Sequence, residues 1–274
     1  MQIDGIDVKS LAETEQRFSL LLWGLAGCGK TTLAASAPGR KLLINFDPDG
    51  PVSLGARDDI VLIDLSGERF GIVDAFKLDD DPLLPLGEKK YRLSKIIEEL
   101  EISTVIVDSV TAFSSLAVEK GISVTKGATI ERPSPGAYGA RNALTLRMMS
   151  AILRLTKRMA TNVVFITHED DSGVRDKEGN LLHITMLLGG KLGGQVSLQI
   201  SEVWFMSDDG KHRKIALRPA RTRKPMKSRM FDARDKIEFT LKYDPYKDVY
   251  GEHSLAAFIK EWEANGRDKI QVPS

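Results

Sequence analysis

The sequence predicts an α/β fold, a mainly parallel sheet flanked by helices with antiparallel strands added at one edge. Three observations predict it. Uninterrupted apolar runs recur along the chain, separated by segments of helical character; a glycine-rich loop joins the first such run to the first such helix; and after Gly194 the pattern changes to shorter strand-like pieces in succession. Continuous rather than alternating hydrophobicity marks strands buried on both faces, as a parallel sheet covered by crossover helices requires.

Taken in order, residues 18–23, 41–46, 60–65, 104–108 and 162–167 read as the buried strands, and 30–36, 91–100 and 140–160 as helices between them. Segments 196–206, 214–218 and 237–243 read as the antiparallel additions, and 254–264 as a final helix. Two stretches, 121–139 and 170–190, are rich in Gly, Ser, Thr and Pro and exceed the usual length of a connection, so they read as functional loops. The 274 residues read as a single domain preceded by a short N-terminal segment, 1–16. A chain of this size buries roughly 75% of its unfolded surface and needs no covalent or metal staple.

A net charge of +1 excludes a generally basic protein, so anion binding has to be local. The charge is in fact concentrated: residues 211–229 hold nine Lys or Arg and no acid. The single cysteine, Cys28, excludes an intramolecular disulfide and suits a reducing compartment. No signal-peptide pattern opens the chain, and no apolar run approaches the ~20 residues needed to cross a bilayer. The expectation is a cytoplasmic protein with no membrane partner.

Residues 24–31, GLAGCGKT, match G-x-x-x-x-G-K-[ST] in the required context, with a strand entering and a helix leaving. Gly24, Gly27 and Gly29 let the backbone wrap closely, so that N–H groups from Gly27 through Cys28, Lys30, Thr31 and Thr32 can face phosphate oxygens. Lys30 would reach the terminal phosphates and the Thr31 hydroxyl a Mg²⁺ ion, while Cys28 fills a tolerant loop position. Asp108 ends an apolar strand (TVIVD), where a carboxylate holds Mg²⁺ through water. The expected ligand is a nucleoside triphosphate with Mg²⁺.

Beyond the loop, IVDSVTAF (106–113), RMMSAILRL (147–155), VVFITHED (163–170) and LGGKLGGQVSLQISEVWF (188–205) follow in an order that resembles the RecA-type recombinase core. The resemblance covers most of the chain and is most similar to compact phage RecA-like single-strand annealing and recombination proteins. It narrows the nucleotide to ATP, and implies a RecA-like P-loop NTPase fold and a Mg²⁺-dependent ATPase stimulated by single-stranded DNA. It further implies an oligomer, ring or filament, with nucleotide at the subunit boundaries, and single-stranded DNA, further copies of the chain and a single-stranded-DNA-binding protein as partners. If phage-encoded, it works in the bacterial cytosol. A RecA-like helicase or clock-type motor, and a nucleotide-gated DNA-binding module with marginal hydrolysis, are the alternatives.

Residue by residue, the resemblance puts Asp49 at the position of the water-activating acid, where the family has Glu, with Asp47 able to share the role; otherwise Asp-Pro-Asp-Gly is simply a turn. It puts His168 where a polar sensor of the γ-phosphate stands, against a purely structural histidine. The two long stretches match the loops that grip single-stranded DNA, with Lys120, Lys126, Arg132 and Tyr138 in the first and Arg175, Lys177 and Lys191 in the second; the alternative is ordinary surface loops. Cations there would neutralise phosphates and Tyr138 would stack on a base. Arg147, Arg154 and Arg158 share a face of the helix over 140–160, turned to DNA, to a neighbour or to solvent. Arg221 and Arg223 occupy the place of paired cations that reach the neighbouring subunit's nucleotide, and Lys224, Lys227 and Arg229 meet DNA or solvent. The expected adenine-stacking aromatic is missing from 51–56, leaving Tyr243, Tyr246 or Tyr250 to cover the base.

Overall fold

The computed structural model describes residues 2–3, 6–7, 17–48, 50–76, 80–220, 223–244 and 249–274. In chain order the elements are β1 (Gln2–Ile3), β2 (Ile6–Asp7), β3 (Ser19–Gly24), α1 (Lys30–Ala35), β4 (Arg40–Asn45), β5 (Ile60–Asp64), β6 (Leu83–Leu86), β7 (Lys89–Arg92), α2 (Leu93–Glu99) and β8 (Ile102–Asp108). There follow α3 (Val110–Val124), α4 (Pro135–Arg158), β9 (Asn162–Arg175), β10 (Leu181–Met186), α5 (Leu192–Leu198), β11 (Glu202–Asp208), β12 (Arg213–Ala216), β13 (Phe231–Asp232), β14 (Glu238–Thr240), α6 (Leu255–Ala264) and β15 (Ile270–Gln271).

The main sheet has the order β14-β12-β11-β3-β9-β8-β4-β5, with β10 paired to β9. From β11 to β5 every pair is parallel; β12, β14 and β10 add antiparallel edges. The strand that enters the glycine-rich loop, β3, is thus separated by β9 from β8, which ends at Asp108. This is a RecA-like P-loop NTPase fold.

Alternation along the strands makes three layers. Leu21, Trp23, Leu42 and Ile44 face one core with residues of α2, α3, α4 and α5, including Ile96, Phe113, Ile152 and Val196. Leu20, Leu22, Leu43 and Ile166 face the other with α1 and α6, through Leu33, Leu255 and Phe258. Because β3, β4, β8 and β9 run parallel, their C-terminal ends share one edge, and the loops that leave them meet there.

Three expectations are corrected. Residues 121–139 are not one long loop: 121–124 close α3 and 135–139 open α4, leaving 125–134 between two helices. Ser109 and Ser134 cap those helices by accepting from the N–H of Ala112 and Ala137. Residues 170–190 are largely the hairpin of β9 and β10, whose polar sequence conceals pairing from Glu169–Met186 out to Arg175–Leu181. Residues 196–206 are not a single antiparallel strand. The segment divides into the end of α5 and then β11, and β11 runs parallel to β3.

Candidate nucleotide site

β3 delivers the chain to Gly24, and the loop over residues 25–29 turns it into α1. Gly29 begins the helix at φ 94°, a conformation an L side chain seldom adopts, and no side chain caps it. With no cap and no acid in the first turn, the leading amides of α1 are left for an anion. Lys30 is buried; its ammonium donates to the carbonyls of Gly24 at 3.0 Å and Leu25 at 2.6 Å. Burial lowers its pKa, opposed chiefly by Cys28 and Asp108. Cys28 is buried too, and burial pushes its thiol up, which makes it a packing residue rather than a nucleophile.

The Thr31 hydroxyl donates to Asp108 Oδ2 at 2.6 Å, so β8 brings its terminal carboxylate to the first turn of α1. Burial raises the Asp108 pKa, and the Thr31 bond works against that rise. Hydroxyl and carboxylate are hard oxygen donors of the kind Mg²⁺ takes alongside water and phosphate, so this pair fits the expected ion. Lys30, Thr31, Thr32, Asp47, Asp108 and His168 all line one cavity of about 380 Å³, together with Gly27, Gly29 and Arg213.

Asp47 reaches the cavity from the turn after β4. Its N–H is received by Asn45 Oδ1 at 3.2 Å, and the Asn45 amide donates back to its carbonyl at 2.8 Å. His168 Nε2 stands 3.9 Å from Asp47 Oδ2. Burial, then the nearby Lys30 charge, lowers the His168 pKa, with Asp47 opposing; the ring is neutral at pH 7. Its backbone N–H donates to Thr111 Oγ1, which also contacts Thr167 Oγ1 at 2.8 Å, tying β9 to α3. Asp49 and Arg221 lie outside the described residues.

The other sequence-derived candidates are spread around this centre. Lys126 and Arg132 are exposed between α3 and α4, Tyr138 is exposed in the first turn of α4, and Arg175, Lys177 and Lys191 are exposed on or after the β9–β10 hairpin. The Arg141 guanidinium stands 5.2 Å from the Tyr138 ring centroid. Lys120 differs from the expectation: it sits within α3 and pairs with Asp74 at 2.7 Å. The shared basic face of α4 is also partly satisfied inside the chain, since Arg147 and Arg154 both reach Asp80, at 3.3 and 2.5 Å. Arg223 lies over the Phe205 ring, 4.6 Å from its centroid. It lines a second cavity, of about 630 Å³, with Leu25, Cys28 and Glu169. Its segment is stitched in place by Lys224 N–H donating to the Ile184 carbonyl at 3.2 Å and by a bridge between Lys227 and Val203.

Sequence reasoning missed Arg213, which stands among nine cations with nothing in its spacing to single it out. Tyr243 and Tyr250, two of the three aromatics offered for the base, are packed together with centroids 4.9 Å apart, and both lie against Arg213. Tyr246 lies outside the described residues. Among the described residues no helix is long and apolar enough to cross a membrane.

A family model described as an AAA domain matches residues 16–237. No curated protein matches the sequence. Among solved structures, a KaiC-like protein from the hyperthermophilic archaeon Pyrococcus horikoshii OT3 is similar over 83% of this chain and 86% of its own, at 12% identity and a TM-score of 0.42. A RadB recombinase is similar over 73% of this chain and 79% of its own, at 11% identity and a TM-score of 0.39.

Proposed function

Since the chain belongs to the AAA-domain family, we propose that it is a Mg²⁺-dependent ATPase whose turnover is coupled to single-stranded DNA in recombination or annealing, working as an oligomer with nucleotide at subunit boundaries. The observation that carries the reading is the 2.6 Å contact of Thr31 with Asp108, made inside the same cavity as Lys30. A hydroxyl, a carboxylate and an ammonium converging on a glycine-rich loop fit a metal-bound triphosphate and little else.

In this reading the amides of Gly29 to Thr32 and the Lys30 ammonium hold the phosphate chain, and Thr31 and Asp108 hold the metal. Bound Mg²⁺ neutralises charge on the phosphate oxygens. Asp47 orients the attacking water and accepts its proton, sharing that role with Asp49; Asn45 fixes the Asp47 backbone so that its carboxylate faces the cavity. Neutral His168 donates a hydrogen bond toward the terminal phosphate. Because it sits on the strand that continues into the β9–β10 hairpin, it links that phosphate to the proposed DNA loops. Lys126, Arg132, Tyr138, Arg175, Lys177 and Lys191 then meet the strand, supported by their exposure on the α3–α4 connection, the first turn of α4, and the β9–β10 hairpin with the turn after it. Arg221 and Arg223 serve a neighbouring subunit's nucleotide.

The test is phosphate release with and without Mg²⁺ and a single-stranded oligonucleotide. Metal-dependent turnover that rises with the oligonucleotide and vanishes in Lys30→Ala is expected. Absence of turnover under every condition overturns the ATPase reading. Turnover indifferent to the oligonucleotide retires the DNA-coupled part and leaves a motor or clock-type ATPase. Oligonucleotide affinity should fall with salt by ~0.7 log units per log unit for each phosphate contact.

A further inference from the structure

The nucleotide cavity is lined from both sides of β3 in the sheet order, and these make its two ends. Asp47, Asp108 and His168 line one part of it, and Arg213, entering from β12 beside Gly29, lines another. A Cβ built at Gly29 would fall 2.7 Å from the Arg213 Cζ, so this side chain rests directly on the phosphate-binding loop.

Three contacts hold the guanidinium. Nε donates to Asp208 Oδ2 at 3.3 Å, and Nη1 to the Tyr250 hydroxyl at 2.7 Å. Its flat face covers the Tyr243 ring, 3.7 Å from the centroid, a separation at which cation and ring attract. Tyr250, itself buried, donates to the Gly29 carbonyl at 3.4 Å, so the group is anchored to the loop it touches. Among the described residues Nη2 has no hydrogen-bond partner, while the residue as a whole lines the cavity. A cation already immobilised in this way loses little further freedom when it binds an anion.

The orientation of a bound nucleotide follows from the other end. The terminal phosphate belongs beside the metal pair and Asp47, which leaves the nucleoside end of the chain toward Arg213. We propose that Arg213 is an intramolecular cation of the nucleotide site, donating from Nη2 to the α-phosphate of the nucleotide bound by its own chain. The inference rests on the ATP-binding reading above. It assigns Tyr243 and Tyr250 to positioning Arg213, as the support on which it stacks and the hydroxyl that orients it. Arg213 touches the nucleotide away from the transferring phosphoryl group, so its effect falls on binding more than on turnover.

Equilibrium binding of ADP by titration calorimetry, with KM and kcat for ATP, tests this in the wild type, Arg213→Met and Arg213→Lys. Loss of one charged hydrogen bond should weaken ADP binding and raise KM about tenfold, with kcat changed by less than about threefold. Lysine, which keeps the charge without the planar fork, should recover part of that loss. Wild-type protein that binds no ADP overturns the ATP reading itself. Wild-type binding matched by Arg213→Met overturns only the role of Arg213. Equal loss in the Met and Lys variants, accompanied by equal loss of thermal stability, makes Arg213 a packing residue and also overturns it. Should Arg213→Met not fold, Asp208→Asn and Tyr250→Phe each weaken the hold on the guanidinium, and only the second also loses the bond to Gly29, so the pair is measured together. A fall in ADP affinity in both variants then supports the role, and an affinity unchanged in Asp208→Asn overturns it.

Discussion

His168 shows how one residue carries both structure and chemistry. Burial and the neighbouring Lys30 hold its pKa below the ordinary histidine value. A histidine with a depressed folded-state pKa binds protons more readily in the unfolded chain, so stability is complete above the unfolded pKa of ~6.5 and is lost as pH falls through the lower folded value. His183 and His253 are shifted the same way, chiefly by burial. Thermal unfolding followed between pH 7.5 and pH 5 should therefore show a steeper loss for wild type than for His168→Gln, with the remaining slope left to the other two. Identical slopes would mean that His168 is not held neutral. Glutamine also keeps a neutral donor, so hydrolysis at pH 7 should survive this exchange far better than an exchange to alanine. At this scale the sequence singled out Lys30, Thr31 and Asp108, and the three line one cavity. It was illegible for Arg213, whose partners Gly29, Tyr243 and Tyr250 come from distant parts of the chain and are assembled only by packing.

Elements were legible in proportion to how apolar their sequence is. The strands that became β3, β4, β5, β8 and β9 are apolar on both faces and announce themselves; α3 was missed because its last turn, Gly121 to Val124, is composed like a loop. The reason is visible where α3 meets α4. A Cβ on Gly121 would lie 2.5 Å from the Ala137 carbonyl oxygen and 2.9 Å from its Cα, so the glycine is a device for close helix contact and not a chain breaker. Gly121→Ala should cost about 1–3 kcal/mol by overpacking, because backbone rather than a flexible side chain stands in the way. Urea unfolding measures this, and a variant as stable as wild type would show that α3 and α4 do not approach as described. The β9–β10 hairpin escaped notice for a different cause: its outer residues lie beyond the sheet, are solvated on both faces and carry no hydrophobic alternation to read.

At the scale of the whole molecule, the basic stretch over 211–229 separates into parts with different destinations. Arg213 turns inward to its own loop, Lys227 bridges to β11, and Lys224 is joined through its backbone to β10. Arg223 covers Phe205 beside the second cavity. A head-to-tail assembly, in which each subunit completes the next one's site, gives a way to tell an intramolecular cation from one lent to a neighbour. Mixing Lys30→Ala with Arg223→Ala pairs a subunit with a dead loop but a sound arginine and a subunit with the reverse. If Arg223 acts on a neighbour's nucleotide, about a quarter of the boundaries in a random mixture combine both working parts and hydrolysis reappears. If Arg223 serves its own chain, the mixture stays as inactive as its components; if it only packs on Phe205, Arg223→Ala already hydrolyses by itself. In the same mixture made with Arg213→Met, which by itself still turns over with a raised KM, the KM should stay raised, because every chain with a sound Lys30 lacks Arg213. A fall of KM toward the wild-type value in that mixture would move Arg213 to the interface; no recovery of hydrolysis in the Arg223→Ala mixture would remove Arg223 from it.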